Sequence, residues 1–429
     1  MVATTLPKNG ERLLHQLISL FYTLSIRIYA AIITAASVFS PKAKAWVVGR
    51  RHWKSKLKKN ISTLDAKPFW FHCASYGEYL QALPLIKALH KKYASPIVVS
   101  FFSPSGFQNY KTIPEICSVF YLPIDSKQNA KTLYSILKPC MFIGVKYDIW
   151  PNLQSELKRN DVPQILIAAQ FRQNQMYFKP WGKFFRQALT SFNPIFTQYP
   201  SGKETLDNNQ IQSILVGDPR FDQALENKNT AYQNEKIEAF LDAKKAIVFG
   251  SAWKDEVDIA QVIASTHPDQ KIIIAPHEVE KNHLNSLLAD FDVKFTFLSN
   301  FNPNSNVLIV DSVGDLRYLY RYGLIAIVAG GLTGKLHNII EPLAYGLPVC
   351  IGNQHSKFPE AEYAIQCGAV LEGENIQAIA NNVTMLLNSK AEIERMSANA
   401  KHCVSEKSGA TDNVLKHPIF DATLHSTTP

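Results

Sequence analysis

Apolar positions along the chain follow two rhythms. Between Leu17 and Ser40 they form one nearly unbroken stretch; from Lys67 onward they come as short runs separated by amphipathic segments. Short apolar runs bounded by turns predict buried strands, here at 69–74, 96–102, 118–122, 140–145, 164–169, 194–197 and 213–216. Helical spacing lies between most of them: after the run ending at Ala74, a Ser-Tyr-Gly-Glu turn leads to Leu80, Leu83, Ile86 and Leu89. A second series of strands is predicted at 246–250, 271–275, 307–310, 324–329 and 348–351. The intervening stretch from Asp222 to Lys245 is polar and charged and reads as a linker. Strand–helix alternation of this kind predicts an α/β chain with two parallel-sheet domains, 46–225 and 226–429, preceded by a separate element over 1–45. Such sheets bind ligands beyond the carboxyl ends of their strands, so a cleft faced by both domains is the expected active site.

The N-terminal stretch is long enough to cross a bilayer, and only Arg27 is charged within it. Eight Lys or Arg and no acid follow between Lys42 and Lys59, and these account for all but one unit of the net charge of +9. The chain is therefore nearly neutral with one basic segment. A cationic cluster next to an apolar helix favours the cytoplasmic side of a membrane and attracts anionic headgroups. Arg27 keeps two readings open, a spanning anchor and a helix lying on the surface, because a mid-span Arg is costly. Nucleic acid is not expected, since no aromatic interleaving accompanies the basic run. Six scattered cysteines without CxxC spacing suit a reducing compartment and no zinc site.

Several strand ends carry candidate chemistry. Glu78 is either the acid of an S-x-x-E capping box begun at Ser75 or a catalytic carboxylate. Lys146 and Asp148 follow another strand, as an ion pair or as site residues. Arg220 in "VGDPRFD" suits a phosphate or carboxylate, or is a surface charge. In the second half, the Gly330-Gly331 loop and a helix after Asn338 offer backbone N–H groups to a phosphate, with Glu341 placed to accept from sugar hydroxyls. Ser251 reads as a phosphate donor or a helix cap, His277 as a turn residue or ligand, and Gly314-Asp315 as a cap. Asp290-Phe291-Asp292 matches a three-residue metal pattern too short to weigh.

Taken in order, Ser75 to Glu78, Ser103 to Gly106, Ile149 to Asn152, Gly217 to Asp222, Gly250-Ser251 and Asn338 to Pro342 resemble the Kdo (3-deoxy-D-manno-octulosonic acid) transferase family. The resemblance runs from about Trp46 to Val404. It implies a GT-B type fold of two Rossmann-like domains facing a cleft, with an N-terminal membrane-anchoring helix. It further implies inverting transfer of Kdo from the donor CMP-Kdo to the 6′-hydroxyl of a lipid A precursor, without a metal or other cofactor. On this resemblance Glu78 is the general base, accompanied by Asp148 and Arg220. Ser251, Pro276, His277, Gly314, Asp315, Leu316, Asn338, Ile339, Ile340 and Glu341 would hold CMP-Kdo. The body would sit on the cytoplasmic face of the inner membrane. Lys146 stands where many members have an acid, and His277 where they have Arg. The alternatives are another GT-B nucleotide-sugar transferase, or a membrane-tethered nucleotide-sugar binding protein without turnover.

Overall fold

The computed structural model describes residues 8–425. Two compact units divide the chain. One holds the residues up to Pro219 together with those from Gly409 onward, and the other holds Arg220–Ser408.

The first unit carries a seven-stranded parallel sheet. Its strands are β1 (Phe69–Cys73), β2 (Ile97–Phe101), β3 (Ser118–Tyr121), β4 (Met141–Val145), β5 (Gln164–Ala169), β6 (Ile195–Thr197) and β7 (Ile214–Leu215), in the order β3-β2-β1-β4-β5-β6-β7. β1, β2, β4 and β5 are buried along their whole lengths, as continuous apolar runs require of a parallel sheet covered on both faces. The strand order reverses between β1 and β4, which leaves a crevice at their carboxyl ends.

The second unit repeats the plan with β8 (Ala246–Ala252), β9 (Lys271–Pro276), β10 (Phe295–Phe297), β11 (Val307–Ile309), β12 (Gly323–Val328), β13 (Val349–Gly352) and β14 (Val370–Gly373). The order is β10-β11-β9-β8-β12-β13-β14, with its reversal between β8 and β12.

Three helices precede the first sheet: α1 (Lys8–Ala36), α2 (Pro41–Arg50) and α3 (Trp53–Ile61). Ser40 caps α2 through its side chain, and Pro41 occupies the first helical position. Arg50 ties α2 to the sheet. Its guanidinium donates to the carbonyls of Leu122 at 2.9 Å and Phe102 at 2.6 Å and lies 3.9 Å over the Trp46 ring. Leu17–Ala36 is long and apolar enough to cross a membrane.

Two sequence expectations are corrected. The stretch from Asp222 to Lys245 is not a linker but is mostly helical, within Pro219–Asn229 and Glu235–Leu241. Ile237, Phe240 and Leu241 fall on one helical face and are buried in the core of the second unit with Phe221 and Ala224. The charged residues around those few apolar positions hid the pattern. The continuous range 226–429 also differs from the observed division. The helices Ala410–Leu415 and Ile419–His425 belong to the first unit, where Val414 and Phe420 enter the core beside α4 (Tyr76–Tyr93). Lys92 and Tyr93 of α4 both bond Asp421.

Glycines mark where backbone packs on backbone. A Cβ on Gly331 would lie 2.5 Å from the Gly352 nitrogen, whereas one on Gly77 would meet nothing within 4 Å. Gly331→Ala is expected to destabilise the protein by about 1–3 kcal/mol, because main chain cannot step aside. Gly77→Ala, in a helix, is expected to stabilise it by up to about 1 kcal/mol. Denaturant melts of the two variants check this pair; equal effects would contradict it.

Candidate active site

Glu78 stands in the first turn of α4, directly after β1, and is only 8% exposed. Its Oε2 accepts from the Ser75 backbone N–H at 3.2 Å, so it does cap its own helix. It also faces charge from the neighbouring strand end. Burial raises its pKa and the negative charge of Asp148 raises it further, while Lys146, His72 and the backbone bond pull the other way. The residue that caps the helix is thus also the one that faces Asp148.

Asp148 is fixed by a network that the sequence reading missed. His72, fully buried in β1, contacts Asp148 Oδ2 through Nε2 at 2.7 Å and Ser100 Oγ through Nδ1 at 2.9 Å. The Trp150 indole N–H donates to the same Asp148 oxygen at 3.0 Å. With Nε2–H directed at the carboxylate, the 3.1 Å approach of Trp150 Nε1 to His72 Nε2 is two donors converging on one acceptor. Ser100 in turn accepts from Trp70 Nε1 at 2.8 Å. The signal for His72 was a lone polar residue inside "FWFHC", since a polar group in a buried strand must be hydrogen-bonded. Lys146, at the end of β4, has φ +62°, a left-handed conformation unusual for a side-chain-bearing residue.

The Trp-Pro-Asn stretch builds the next layer. Trp150 caps the helix Pro151–Arg159, with Pro151 in the first helical position. Asp125 accepts from the backbone N–H groups of Asn152 and Leu153, both at 2.9 Å, and from the Tyr22 hydroxyl of α1 at 2.9 Å. Burial raises the Asp125 pKa to about 6 against the pull of those bonds.

In the second unit, three loops meet at the carboxyl end of the sheet. Ser251 lies within β8 at φ +56° and is not the helix cap; Trp253 holds that position for the helix Lys254–Thr266. Buried Glu256 accepts from Trp253 N–H at 3.0 Å and Gly330 N–H at 3.2 Å, joining the loops after β8 and β12. The Trp253 ring stacks on His277, just past Pro276 at the end of β9, with centroids 4.4 Å apart, and its Nε1 donates to His337 Nε2 at 3.2 Å. Burial lowers the His277 pKa, and burial with His277 nearby lowers that of His337 to about 4. Both directions favour the uncharged imidazoles in this stacked aromatic platform.

The remaining residues fall into smaller groups. Gly314, at φ +98°, precedes Asp315, which accepts from Ser312 Oγ at 2.6 Å. Leu316 leans on β8, since a Cβ at Gly250 would lie 3.5 Å from its Cδ1 and 2.0 Å from Tyr320 Oη. Asn338 accepts from Ile340 N–H at 3.1 Å, and the side chains of Ile339 and Ile340 are core. The helix that follows, Ile340–Ala344, has five residues. Burial pushes the Glu341 pKa up to about 7 against Arg317 and Asn338. Gly330 and Gly331 are required by the loop itself, since a Cβ on Gly330 would lie 2.2 Å from the Lys335 carbonyl oxygen. Arg220 is held by Glu360, Nη1 to Oε1 at 2.8 Å. Of the aspartate pattern, Asp290 is 3.7 Å from Lys254 and Phe291 is core.

Two parallel-sheet Rossmann-like units, each with polar side chains gathered at its own switch point, define a GT-B type chain. A UDP-GlcNAc 2-epimerase from Neisseria meningitidis, solved bound to UDP-GlcNAc, shares the fold with a TM-score of 0.58 at 17% identity, covering 82% of this chain and 99% of its own. The family model of the 3-deoxy-D-manno-octulosonic-acid transferase (kdotransferase) matches residues 50–223. The 3-deoxy-D-manno-octulosonic acid transferase of Aquifex aeolicus is 29% identical over 349 residues, 79% of this chain and 92% of the relative. That of Haemophilus influenzae is 26% identical over 390 residues, 83% and 87% of the two chains. Across most of its length the chain is thus similar to the Kdo transferases.

The charges around Glu78 set a sign that can be measured directly. Asp148→Asn removes a repulsion and is expected to lower the Glu78 pKa, and Lys146→Met removes an attraction and is expected to raise it. Carbon-detected NMR titration of the Glu78 carboxyl reads both; shifts in the opposite directions would refute the assignment.

Proposed function

We propose that this protein is an inverting glycosyltransferase that moves Kdo from CMP-Kdo to the 6′-hydroxyl of a tetraacylated lipid A precursor. The observation that carries the reading is Glu78, a nearly buried carboxylate at the β1/β4 switch point whose proton affinity is raised by burial and by Asp148. A base works best when its pKa approaches the working pH, and a carboxylate in water falls far below it. The open space over Gly77, one residue earlier, gives an acceptor room to reach it.

In this scheme Glu78 takes the proton of the acceptor hydroxyl. The oxygen forms its bond to the anomeric carbon of Kdo from the face opposite the phosphate. The bond between that carbon and the phosphate oxygen breaks, and CMP leaves with the electron pair. Asp148 keeps the Glu78 pKa up, and His72 and Trp150 hold Asp148 in place. Arg220 is assigned to the departing phosphate; Glu360 orients its guanidinium and offsets part of its charge. The Trp253–His277–His337 platform is assigned to the cytosine of CMP, because a neutral stacked surface suits a base better than a phosphate. Ser251, Pro276, Gly314, Asp315, Leu316 and the segment Asn338 to Glu341 are assigned to the rest of CMP-Kdo. The protein is assigned to the cytoplasmic face of the inner membrane.

Incubation with CMP-Kdo and the tetraacylated precursor, followed by lipid mass measurement, tests the reading. A gain of one or more Kdo residues is expected. No gain, with transfer from a UDP-sugar, would point to a different GT-B transferase, and CMP binding with no transfer to a binding protein. Glu78→Gln is expected to lose about 10²–10⁴-fold in transfer while CMP-Kdo binding survives. Retained turnover in that variant would remove Glu78 from the role of base.

A further inference from the structure

We infer that α1 lies in the plane of an anionic membrane surface, docked along the first unit, and does not cross the bilayer. The helix has two opposed faces. On one face Ser19 is buried and Tyr22 donates to Asp125. The Tyr22 ring meets Phe184 and Phe185 at 5.5 and 5.6 Å, and Ile26 packs on the core of the first unit. Tyr29 stands edge-on to Trp46 at 6.1 Å. These contacts extend over residues 19–29, about 15 Å of helix at 1.5 Å per residue. A helix held to a water-soluble body over that length cannot also stand across the hydrocarbon.

The other face is apolar and uncovered. Leu20, Phe21, Leu24, Ile28 and Ile32 are 51–67% exposed, and Val38 and Phe39, in the turn after α1, are 78% and 90% exposed. At 100° per residue these helical positions form one stripe, and Arg27 falls at its edge. A cation at the rim of an apolar stripe is costly in a span and suits an interfacial helix. The charge that follows also names the surface. Lys42, Lys44, Arg51, Lys54, Lys56, Lys58 and Lys59 are exposed, and no acid lies among them in sequence. A groove of about 630 Å³ bordered by Ser19 of α1 adds Lys127, Lys131 and Lys158, while its Arg159 is paired with Glu156. Together they complement phosphate-bearing headgroups.

The docked face also connects to the site. The Asp125 carboxylate that receives Tyr22 bonds the first turn of the helix capped by Trp150, whose indole holds Asp148. An in-plane α1 therefore sets the height of the Glu78–Asp148 pair above the lipid surface. This inference concerns membrane geometry and stands whether or not Kdo is the sugar transferred.

The test places spin labels one at a time on cysteines at positions 20, 24, 28 and 32 of the full chain. The background is Cys117→Ser with Cys367→Ser, the two cysteines not buried. The protein is bound to vesicles of phosphatidylcholine and phosphatidylglycerol. Shallow, nearly equal depths of about 5–10 Å are expected at all four positions. Depths that progress by about 18 Å from position 20 to position 32, as 1.5 Å per residue along a span requires, would overturn the inference. Short label-to-label distances without lipid contact would assign the face to a second copy of the chain and overturn it too. On pure phosphatidylcholine, binding is expected to fall at least about tenfold, and unchanged binding would refute the anionic preference. Phe21→Glu with Leu24→Glu, on the uncovered face, is expected to abolish vesicle binding with the circular dichroism spectrum unchanged; persistent binding would contradict the docking face.

Discussion

The organising constraint is the repulsion between two carboxylates at one end of a parallel sheet. Glu78 and Asp148 enter the β1/β4 crevice from different strands, and the Asp148 charge makes that of Glu78 harder to hold. The two carboxylates differ in the hydrogen-bond partners that surround them. Asp148 has a buried imidazole and an indole N–H aimed at one oxygen. Glu78 has one backbone N–H at the long end of hydrogen-bond range. Burial and the Asp148 charge together raise the proton affinity of Glu78, the property on which its proposed role as base depends.

That asymmetry depends on layers of support behind the pair. His72 is held by Ser100, and Ser100 by Trp70. Trp150 is placed by a helix whose first N–H groups are taken by Asp125. Tyr22 closes the chain of contacts from α1. His72, Ser100 and Asp125 are buried polar groups with their partners present, and losing a partner there leaves a desolvated group costing about 1–3 kcal/mol. In the second unit Glu256 does the equivalent work for the loops after β8 and β12, and leaves Trp253 free to stack on His277.

Much of the fold is legible in the sequence, because parallel strands buried on both faces are continuous apolar runs. The first seven strands stand where those runs place them. What escaped has physical reasons. Glu235–Leu241 buries only three apolar residues in a charged stretch, and the helices after Gly409 find their core far away in the chain. For Glu78 the sequence offered cap or base as alternatives, and local spacing could not reveal that one position serves as cap while facing Asp148. His72, Asp125, Trp253, Glu256 and His337 went unread because their importance comes from partners 27 to 84 residues away. The reading of α1 was open for the opposite reason. Length and hydropathy describe the helix, whereas only the direction of Tyr22 shows which face is already occupied.

In the proposed transfer Glu78 is the group whose deprotonation permits reaction. The most direct measurement is the pH dependence of the single-turnover transfer rate in the wild type and in Lys146→Met. The acid limb should coincide with the titration of the Glu78 carboxyl measured in the same protein, and should move to higher pH in the variant as that carboxyl does. A limb that stays fixed while the Glu78 titration moves would show that another group is the base.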